Sequence, residues 1–436
     1  MRKLTARFVV GKEVIMAFSV LTTQLSPIAV DIGTSSLKLL QVVLGDAPSI
    51  HATAEIEIPD TIRFDGEQRY SFLEQELPGL LKSSGFKGRR VVCSPLASQV
   101  LMQPMQIERT DSLNHSDVVT AQLEAQLERM PGSLVVRSHS IAETLKDGRS
   151  ATEMLCWAMA HEDAMRHVSL FKSMKLKLVG IHPQARAIVG AFDHLNRRLS
   201  DTETCTMYVD LGWGGMKIAI AHGPEMIFGK QVQIGGRQLD GLISERSGTD
   251  MFTARMRRIS EIRQDGTAPA STARERVAPP VDGLAMLRAG LSRDGFDGDI
   301  PKPIRQSAAV ATDRRSGVQP SEIVVGIPPA DRAMISSGVD CTELLESMSD
   351  ELSLCMRYHT AVFNGRRVDR LIFLGGESRS TALCRGLARS LNISAQLGDP
   401  MARYATGPND PMLPEPGHVS PSWAVACGLC TAPVDL

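Results

Sequence analysis

Residues 27–42 read PIAVDIGTSSLKLLQV. The apolar run Ile28-Ala29-Val30 ends in Asp31. Gly33 follows, then the hydroxyls of Thr34, Ser35 and Ser36. Lys38 sits just beyond, and apolar residues resume at Leu39. The pattern predicts a strand, a tight hairpin turn and a second strand. Gly33 permits a turn conformation closed to residues that carry a side chain. Such a turn offers backbone N–H groups and hydroxyls to an anion, the way loops cradle phosphates. Asp31, at the strand end, is placed to hold a divalent cation through water, because Mg²⁺ keeps much of its hydration shell. Taken alone, the stretch reads more simply as a plain hairpin of an ordinary sheet.

A second copy changes that reading. Thr206–Ile220, TMYVDLGWGGMKIAI, repeats the order apolar run, Asp210, Gly212, small residues, Lys217, apolar run. Two such hairpins, about 180 residues apart, form an internal repeat, which is a stronger signal than either copy alone. A third feature is the predicted strand Arg370–Leu374 (RLIFL), which runs straight into Gly375-Gly376-Glu377-Ser378.

The totals exclude several function classes. The 436 residues carry 48 basic and 49 acidic side chains, a net charge of −1 that gives no reason to expect nucleic acid. Aromatic content is 4%, too low for base-stacking platforms, and hydrophobic content of 43% suits a globular chain. No window is apolar for the roughly 18 residues that a membrane helix needs. The eight cysteines are irregularly spaced in apolar segments, as expected of buried reduced thiols. The one CxxC, Cys427–Cys430, falls in a helical pattern and reads as helix packing rather than zinc. The start, MRKLTARFVVGKEV, places positive charge before a short apolar run that Lys12 and Glu13 break, so it reads as a disordered lead with Met16 as an alternative start.

Between these landmarks the periodicity predicts alternating strands and helices. Strands are expected at Ile50–Ile58, Arg90–Ser94, Val100–Ile107, Leu134–Ile141, Glu153–Ala160, Lys175–Ile181, Met226–Gln233 and Ile393–Leu397. Helices are expected at Tyr70–Ser83 (bent or interrupted by Pro78), Ser116–Met130, His161–Ser173, Gln184–Leu195, Gln238–Glu245 and Phe252–Ile262. Further helices follow at Thr342–Phe363, with Asp340 and Glu343 as a capping box, at Leu383–Leu391 and at Ser422–Cys430. Arg263–Gly338 holds 8 of the 24 prolines and a single aromatic residue, and reads as a disordered insertion within a domain. Within it Leu284–Leu291 and Ile323–Ile327 are candidates for short ordered segments.

Two DxG hairpins followed by a strand ending in Gly-Gly resemble the ATPase fold shared by actin, heat-shock chaperones and sugar kinases. That fold is α/β, with two related domains, each a mixed sheet flanked by helices. Within it, AVDIGTSSLKLLQV looks like the first phosphate loop of the PilM family of type IV pilus assembly. Gln231–Leu239 (QVQIGGRQL) is similar to that family's IGG segment. Leu371–Pro400 is similar to its adenosine strand, helix and GDP loop, and Ser422–Leu429 to its closing helix.

The resemblance implies ATP with Mg²⁺ as cofactors. Asp31, Gly33, Thr34, Ser35, Ser36 and Lys38 would act from the first hairpin, and Asp210, Gly212, Trp213, Gly214 and Gly215 from the second. Gly235 and Gly236, with Gly375, Gly376, Glu377 and Ser378, complete the nucleotide site, and Asp31 and Asp210 would face the metal through water. It further implies an FtsA-like inserted subdomain, a cytoplasmic location, and a partner of the PilN type whose short tail lies between the first domain and that subdomain. Membrane association would then be indirect, and self-association belongs to the same picture.

Three departures bear on catalysis. Trp213, Gly214 and Gly215 stand where the family's second loop carries hydroxyls. Glu377 replaces a usual third glycine. Gly180 and His182 occupy places where the family carries acids, one of which could orient the attacking water. His182 is a substitute for that role or simply a cap or packing residue before Pro183. ATP binding is thus expected and hydrolysis weak or absent.

The expected domain order is a lead over 1–26, a first domain over 27–107 and 178–204, and the inserted subdomain over 108–177. A second domain covers 205–262 and 339–412, interrupted by the insertion over 263–338, and a closing helix over 413–436 returns to the first domain. Two other readings remain: a sugar- or acetate-type kinase on the same fold, and an FtsA-like filament former. The kinase lacks a clear acceptor base between the hairpins. The filament former would carry an amphipathic membrane helix after a linker, whereas here the sequence ends just after its last core helix.

Overall fold

The computed structural model describes residues 24–108, 115–146, 149–196, 201, 203–267, 322–323, 339–404 and 419–434. Three sheets organise them. The first runs in the order β3-β2-β1-β4-β8, with β1 Ile28–Ile32, β2 Ser36–Val43, β3 Ser49–Glu57, β4 Arg90–Ser94 and β8 Lys177–Ile181. The second runs β11-β10-β9-β13-β14-β12, with β9 Cys205–Leu211, β10 Met216–His222, β11 Glu225–Val232, β12 Glu322–Ile323, β13 Arg370–Leu374 and β14 Ala395–Leu397.

The two sheets repeat one design. In each, three antiparallel strands are followed by two strands parallel to the first of them, and the second sheet adds the short antiparallel β12 at its edge. The repeat holds at single-residue register: Asp31 pairs with Lys38 across β1 and β2, and Asp210 pairs with Lys217 across β9 and β10. This is the mixed α/β architecture that the sequence predicts.

The third sheet, β5-β7-β6, comprises β5 Val100–Glu108, β6 Leu134–Lys146 and β7 Arg149–Ala160. With α2 (His115–Gln126) it has its own core of Ile107, Val119, Leu123, Val136, Met154, Cys156 and Ala158. Its sheet starts at Val100, earlier than the predicted boundary at 108. Its last helix, α3 (His161–Ser173), instead sends Leu170 and Phe171 into the core of the first sheet.

The hub of the molecule is a pair of short helices between the two large sheets. α4 (Gln184–Ala191) and α9 (Ala424–Leu429) pack with Ala29, Leu40 and Val92 on one side and Tyr208, Ala219 and Ile372 on the other. Every residue of α9 is buried, as befits a helix that is apolar all round. Gly428 makes the helix contact possible: a Cβ there would stand 1.7 Å from the carbonyl oxygen of Ala187. Cys427 and Cys430 are free and buried in this contact, as are the other six cysteines. The CxxC is therefore packing, as read from the sequence.

Several boundaries differ from expectation. α1 spans Gly66–Ser83 and includes Pro78 without interruption. It begins four residues earlier than predicted because the Asp65 carboxylate accepts from the Gln68 N–H and caps a polar first turn. The predicted helix to Leu195 is α4 followed by a 3₁₀ turn over Asp193–Leu195. Residues 24–26, assigned to the lead, pair with β2: Ser26 N–H donates to the Val42 carbonyl at 2.9 Å. α5 is Gly236–Ser247, and α6 (Met251–Thr267) runs five residues into the predicted insertion.

At α7 (Thr342–Val362), Asp340 accepts from the Thr342 N–H at 3.0 Å, one position short of a capping box. α8 is Thr381–Leu391, capped by Ser380. The expected lead before residue 24 and Leu284–Leu291 lie outside the described residues, as does most of the expected insertion. Among the described residues no helix is long and apolar enough to cross a membrane.

Candidate functional site

The two hairpins face each other across a cleft of about 480 Å³, within the size range of small-molecule sites. Each turn is closed by the same bond, Gly33 N–H to the Ser36 carbonyl and Gly212 N–H to the Gly215 carbonyl, both at 3.0 Å. A Cβ on Gly33 would stand 2.8 Å from the Ser36 oxygen, and one on Gly212 2.9 Å from the Gly215 oxygen. The glycines are therefore required by the tightness of the turns. The tips touch across the cleft, since a Cβ on Gly214 would stand 2.7 Å from Thr34 Oγ1.

The charges at the base of the cleft are distributed unequally. Lys217 pairs with Asp210 at 3.2 Å. Lys38 turns instead to Glu55 at 3.1 Å and donates to Ser36 Oγ at 2.6 Å. Asp31 is left buried, and its Oδ1 has no hydrogen-bond partner. Burial pushes the Asp31 pKa up to about 6, with Lys38 and then Lys217 pulling it back and Asp210 and Glu55 adding to the rise. A buried carboxylate oxygen without a donor, at the mouth of a loop lined with N–H groups, suits a hydrated divalent cation with an anion beside it.

Another wall of the cleft is built from β13 and the turn after it. Gly375 has φ +86, a conformation that favours glycine, and a Cβ there would meet the Leu211 carbonyl at 2.3 Å. Gly376 lines the cleft with nothing within 4 Å of a Cβ position, so the cleft is open at that point. Glu377 points away from the open space into a buried ion cluster. Both its carboxylate oxygens accept from the Arg258 guanidinium, and Arg258 Nε donates to Asp240 at 2.7 Å. Burial opposes the Arg258 charge, but the Glu377 and Asp240 carboxylates more than offset it, so its pKa is raised. The Glu377 carboxylate is thus paired within the protein.

Trp213, also anomalous in the sequence, joins the same cluster: its indole N–H donates to Asp240 at 2.7 Å. Its ring crosses to the first domain, stacking on Phe64 at 5.9 Å between centroids, with the Arg63 guanidinium 4.4 Å above it. Arg255 on α6 bridges back as well, to Glu57 at 2.7 Å and Asp60 at 2.9 Å.

Of the residues selected from sequence, Asp31, Gly33, Thr34, Ser35, Ser36 and Lys38 line the cleft, as do Asp210, Gly212, Trp213, Gly214 and Gly215. Gly375, Gly376 and Glu377 line it too. Gly235, Gly236 and Ser378 stand behind the wall. A Cβ on Gly235 would meet the Gly212 carbonyl at 2.3 Å, one on Gly236 would meet the Glu377 carboxylate, and Ser378 Oγ donates to the Gly375 carbonyl at 2.7 Å. His182 is not brought to the cleft. Its Nε2 lies 2.9 Å from the Pro433 carbonyl oxygen, at a small cavity beside α4 and the closing segment. The packing alternative for His182 is the one the geometry follows.

The sequence reading missed Gln184, Arg255, Met256 and Ile259, which also line the cleft. Arg255, Met256 and Ile259 sit at i, i+1 and i+4 of a predicted helix, so they share one face. Nothing in that spacing says that the face meets a cleft.

The sequence profile of the family described as Type IV pilus assembly protein PilM matches residues 29–279, more than half of the chain. Comparison with curated proteins finds no match. Among solved structures, a PilM–PilN type IV pilus biogenesis complex is similar with a TM-score of 0.65 at 15% identity, covering 94% of this chain and 98% of that one. Ethanolamine utilization protein EutJ from Carboxydothermus hydrogenoformans gives 0.44 at 12% identity, covering 93% and 89%. MreB5 of Spiroplasma citri bound to ADP gives 0.41 at 12% identity, covering 92% and 94%. With the duplicated hairpins, the strand ending in Gly-Gly and the inserted third sheet in place, the chain belongs to the PilM family of type IV pilus assembly proteins, on an actin-like ATPase fold.

Proposed function

We propose that this chain is a cytoplasmic scaffold of a type IV pilus or type II secretion-like assembly platform. In this reading it takes the short tail of a PilN-type inner-membrane partner, and ATP with Mg²⁺ holds its two domains closed. Asp31, Asp210 and the two hairpins would hold the metal and phosphates, and adenosine would lie along Gly375-Gly376. Bound Mg-ATP supplies a polyphosphate long enough to bridge both hairpins and a divalent charge for the carboxylates to face. The buried Oδ1 of Asp31 and the open space at Gly376 fit that assignment.

The observation that carries the coupling is a shared wall. Thr34, Gly214 and Gln231 line the nucleotide cleft and also a second cavity of about 350 Å³. That cavity lies between α1, α3 and the turn leading into the third sheet, with Tyr70, Leu73, Leu96 and His167 among its lining residues. An extended tail seated there would rest on the backs of the hairpins. A ligand that draws the hairpins together would therefore bind differently to the two states of the groove, which is what a shift in tail affinity requires. Membrane attachment then comes through the partner.

The test uses the full-length chain and calorimetry with Mg-ATP and a synthetic peptide of the partner's cytoplasmic tail. Gly376→Trp fills the open wall without touching backbone and is expected to weaken Mg-ATP at least 100-fold, while circular dichroism stays unchanged. Mg-ATP is expected to change peptide affinity at least threefold in the native chain only. Equal titrations of native and variant chains would remove the nucleotide from this cleft. Sugar-dependent ATP turnover would establish the kinase reading instead.

A further inference from the structure

At the end of β9 and β10 opposite the hairpin tip, three side chains of a different chemistry converge. Cys205 opens β9, His222 ends β10 directly opposite it in register, and His359 lies in the last turn of α7. His359 Nε2 is the meeting point: it stands 2.9 Å from His222 Nε2 and 3.5 Å from Cys205 Sγ. All three atoms lie within 4.8 Å of one another. Cys205 and His359 are fully buried, and His222 is half-buried.

From this geometry we infer that Cys205, His222 and His359 form a site for a borderline-soft divalent cation, zinc foremost, unconnected with the nucleotide cleft. One proton can lie between the two Nε2 atoms, and the thiol adds only a weak bond. Three lone-pair atoms from three elements therefore meet with little to gain from one another. A tetrahedral zinc ion with bonds of about 2.0 Å to nitrogen and 2.3 Å to sulfur separates its ligand atoms by about 3.3 Å and 3.5 Å. The 2.9 Å and 3.5 Å separations differ from those edges by less than half an ångström.

One thiolate and two imidazoles suit Zn²⁺ and Co²⁺ and disfavour Mg²⁺ and Ca²⁺. Binding releases the Cys205 thiol proton to solvent, and the half-exposed side of His222 leaves the fourth position to water.

The surroundings hold the ligands in place. Phe363 stacks on the His359 ring at 5.0 Å and meets His222 edge-on at 4.8 Å. Cys205 and Asp369 exchange two bonds, the Cys205 N–H to the Asp369 carboxylate at 2.7 Å and the Asp369 N–H to the Cys205 carbonyl at 2.9 Å. Arg366, the other charged group felt at the site, donates to the Glu203 carbonyl. Its positive charge and the Asp369 negative charge both bear on His222 and His359 and oppose one another. The ring contacts restrict both imidazoles, and the two bonds to Asp369 fix the backbone that carries Cys205. A cation here would tie β9, β10 and α7 together at one point.

The full-length chain, freed of metal with a chelator and kept reduced, is titrated with Co²⁺ alone. One Co²⁺ per chain is expected, with a thiolate-to-cobalt charge-transfer absorption that equimolar Zn²⁺ abolishes. His222→Ala, at the half-exposed ligand, is expected to keep its circular dichroism, lose the absorption and bind Zn²⁺ at least 30-fold more weakly. Cys205→Ser is expected to lose the absorption as well. Zn²⁺ should raise the melting temperature of the native chain and not of His222→Ala. Absence of stoichiometric Co²⁺ binding overturns the site, and so does an unchanged absorption in His222→Ala.

Discussion

A single carboxylate carries much of the electrostatic tension of the cleft. Asp31 is buried, one of its oxygens has no donor, and its pKa is raised to about 6. Because the folded value lies above the unfolded one, the native state binds the extra proton between about pH 4 and 6. Stability is therefore higher at acid pH and falls as pH rises through that window. Asp31→Asn removes the buried charge and is expected to raise stability at pH 7.5 by about 3 kcal/mol, and to change it little at pH 4. Thermal melts across pH measure both. The same substitution is expected to weaken Mg-ATP at least tenfold in calorimetry. A variant that is more stable and less able to bind is the usual signature of a residue held in place for its ligand.

At the scale of elements, the hairpins depend on a helix that the sequence only half disclosed. Arg69 in the first turn of α1 donates to the Gly33 carbonyl at 2.8 Å and the Thr34 carbonyl at 3.0 Å, gripping the first loop from behind. Burial, and then the neighbouring Arg63, lower its pKa to about 10, which still leaves it charged at neutral pH. Arg69→Met keeps the stem and removes the grip. It is expected to cost about 2 kcal/mol of stability, the scale of hydrogen bonds from a charged donor. Hydrogen exchange should rise at least tenfold at the N–H groups of Gly33–Ser36 and stay unchanged in the second hairpin.

The hairpins themselves were readable because Asp, Gly and Lys act within a few residues of one another. Arg69 was not. The polar turn Gly66-Glu67-Gln68-Arg69 shows no apolar period, so the helix was started at Tyr70. Glu377 and Trp213 were seen as anomalies, but what resolves them is Arg258 and Asp240, 119 and 27 positions away. No local pattern encodes such pairings. The partner of His182, the Pro433 carbonyl, likewise lies 251 positions along the chain.

Across the whole molecule, the two domains meet at the cleft mouth through contacts of their own. Trp213 lies against Phe64 and Arg63, and Arg255 pairs with Glu57 and Asp60. Glu57 and Asp60 are well exposed, so each pair is worth well under 1 kcal/mol in solution. Together with the ring contacts they bias closure without fixing it, which leaves a ligand room to act. Arg255→Glu places like charges together, and X-ray scattering is expected to show a larger radius of gyration without nucleotide. Mg-ATP is expected to restore the native radius, because the phosphate hairpins are untouched. A radius unchanged by the substitution would mean that the hub helices alone hold the domains together.

Those hub helices also set the timetable on which the protein is made. α4 leaves the ribosome more than two hundred residues before α9, yet the two pack so closely that only a glycine fits at position 428. At roughly 5–20 residues per second, the inner face of the first sheet waits on the order of 10–50 s for its cover. Throughout that interval the nascent chain carries a finished set of strands with an open apolar surface, next to emerging strands of the same topology. The first sheet is covered by a helix made long after its strands, so its dependence on chaperones should be greatest in that interval.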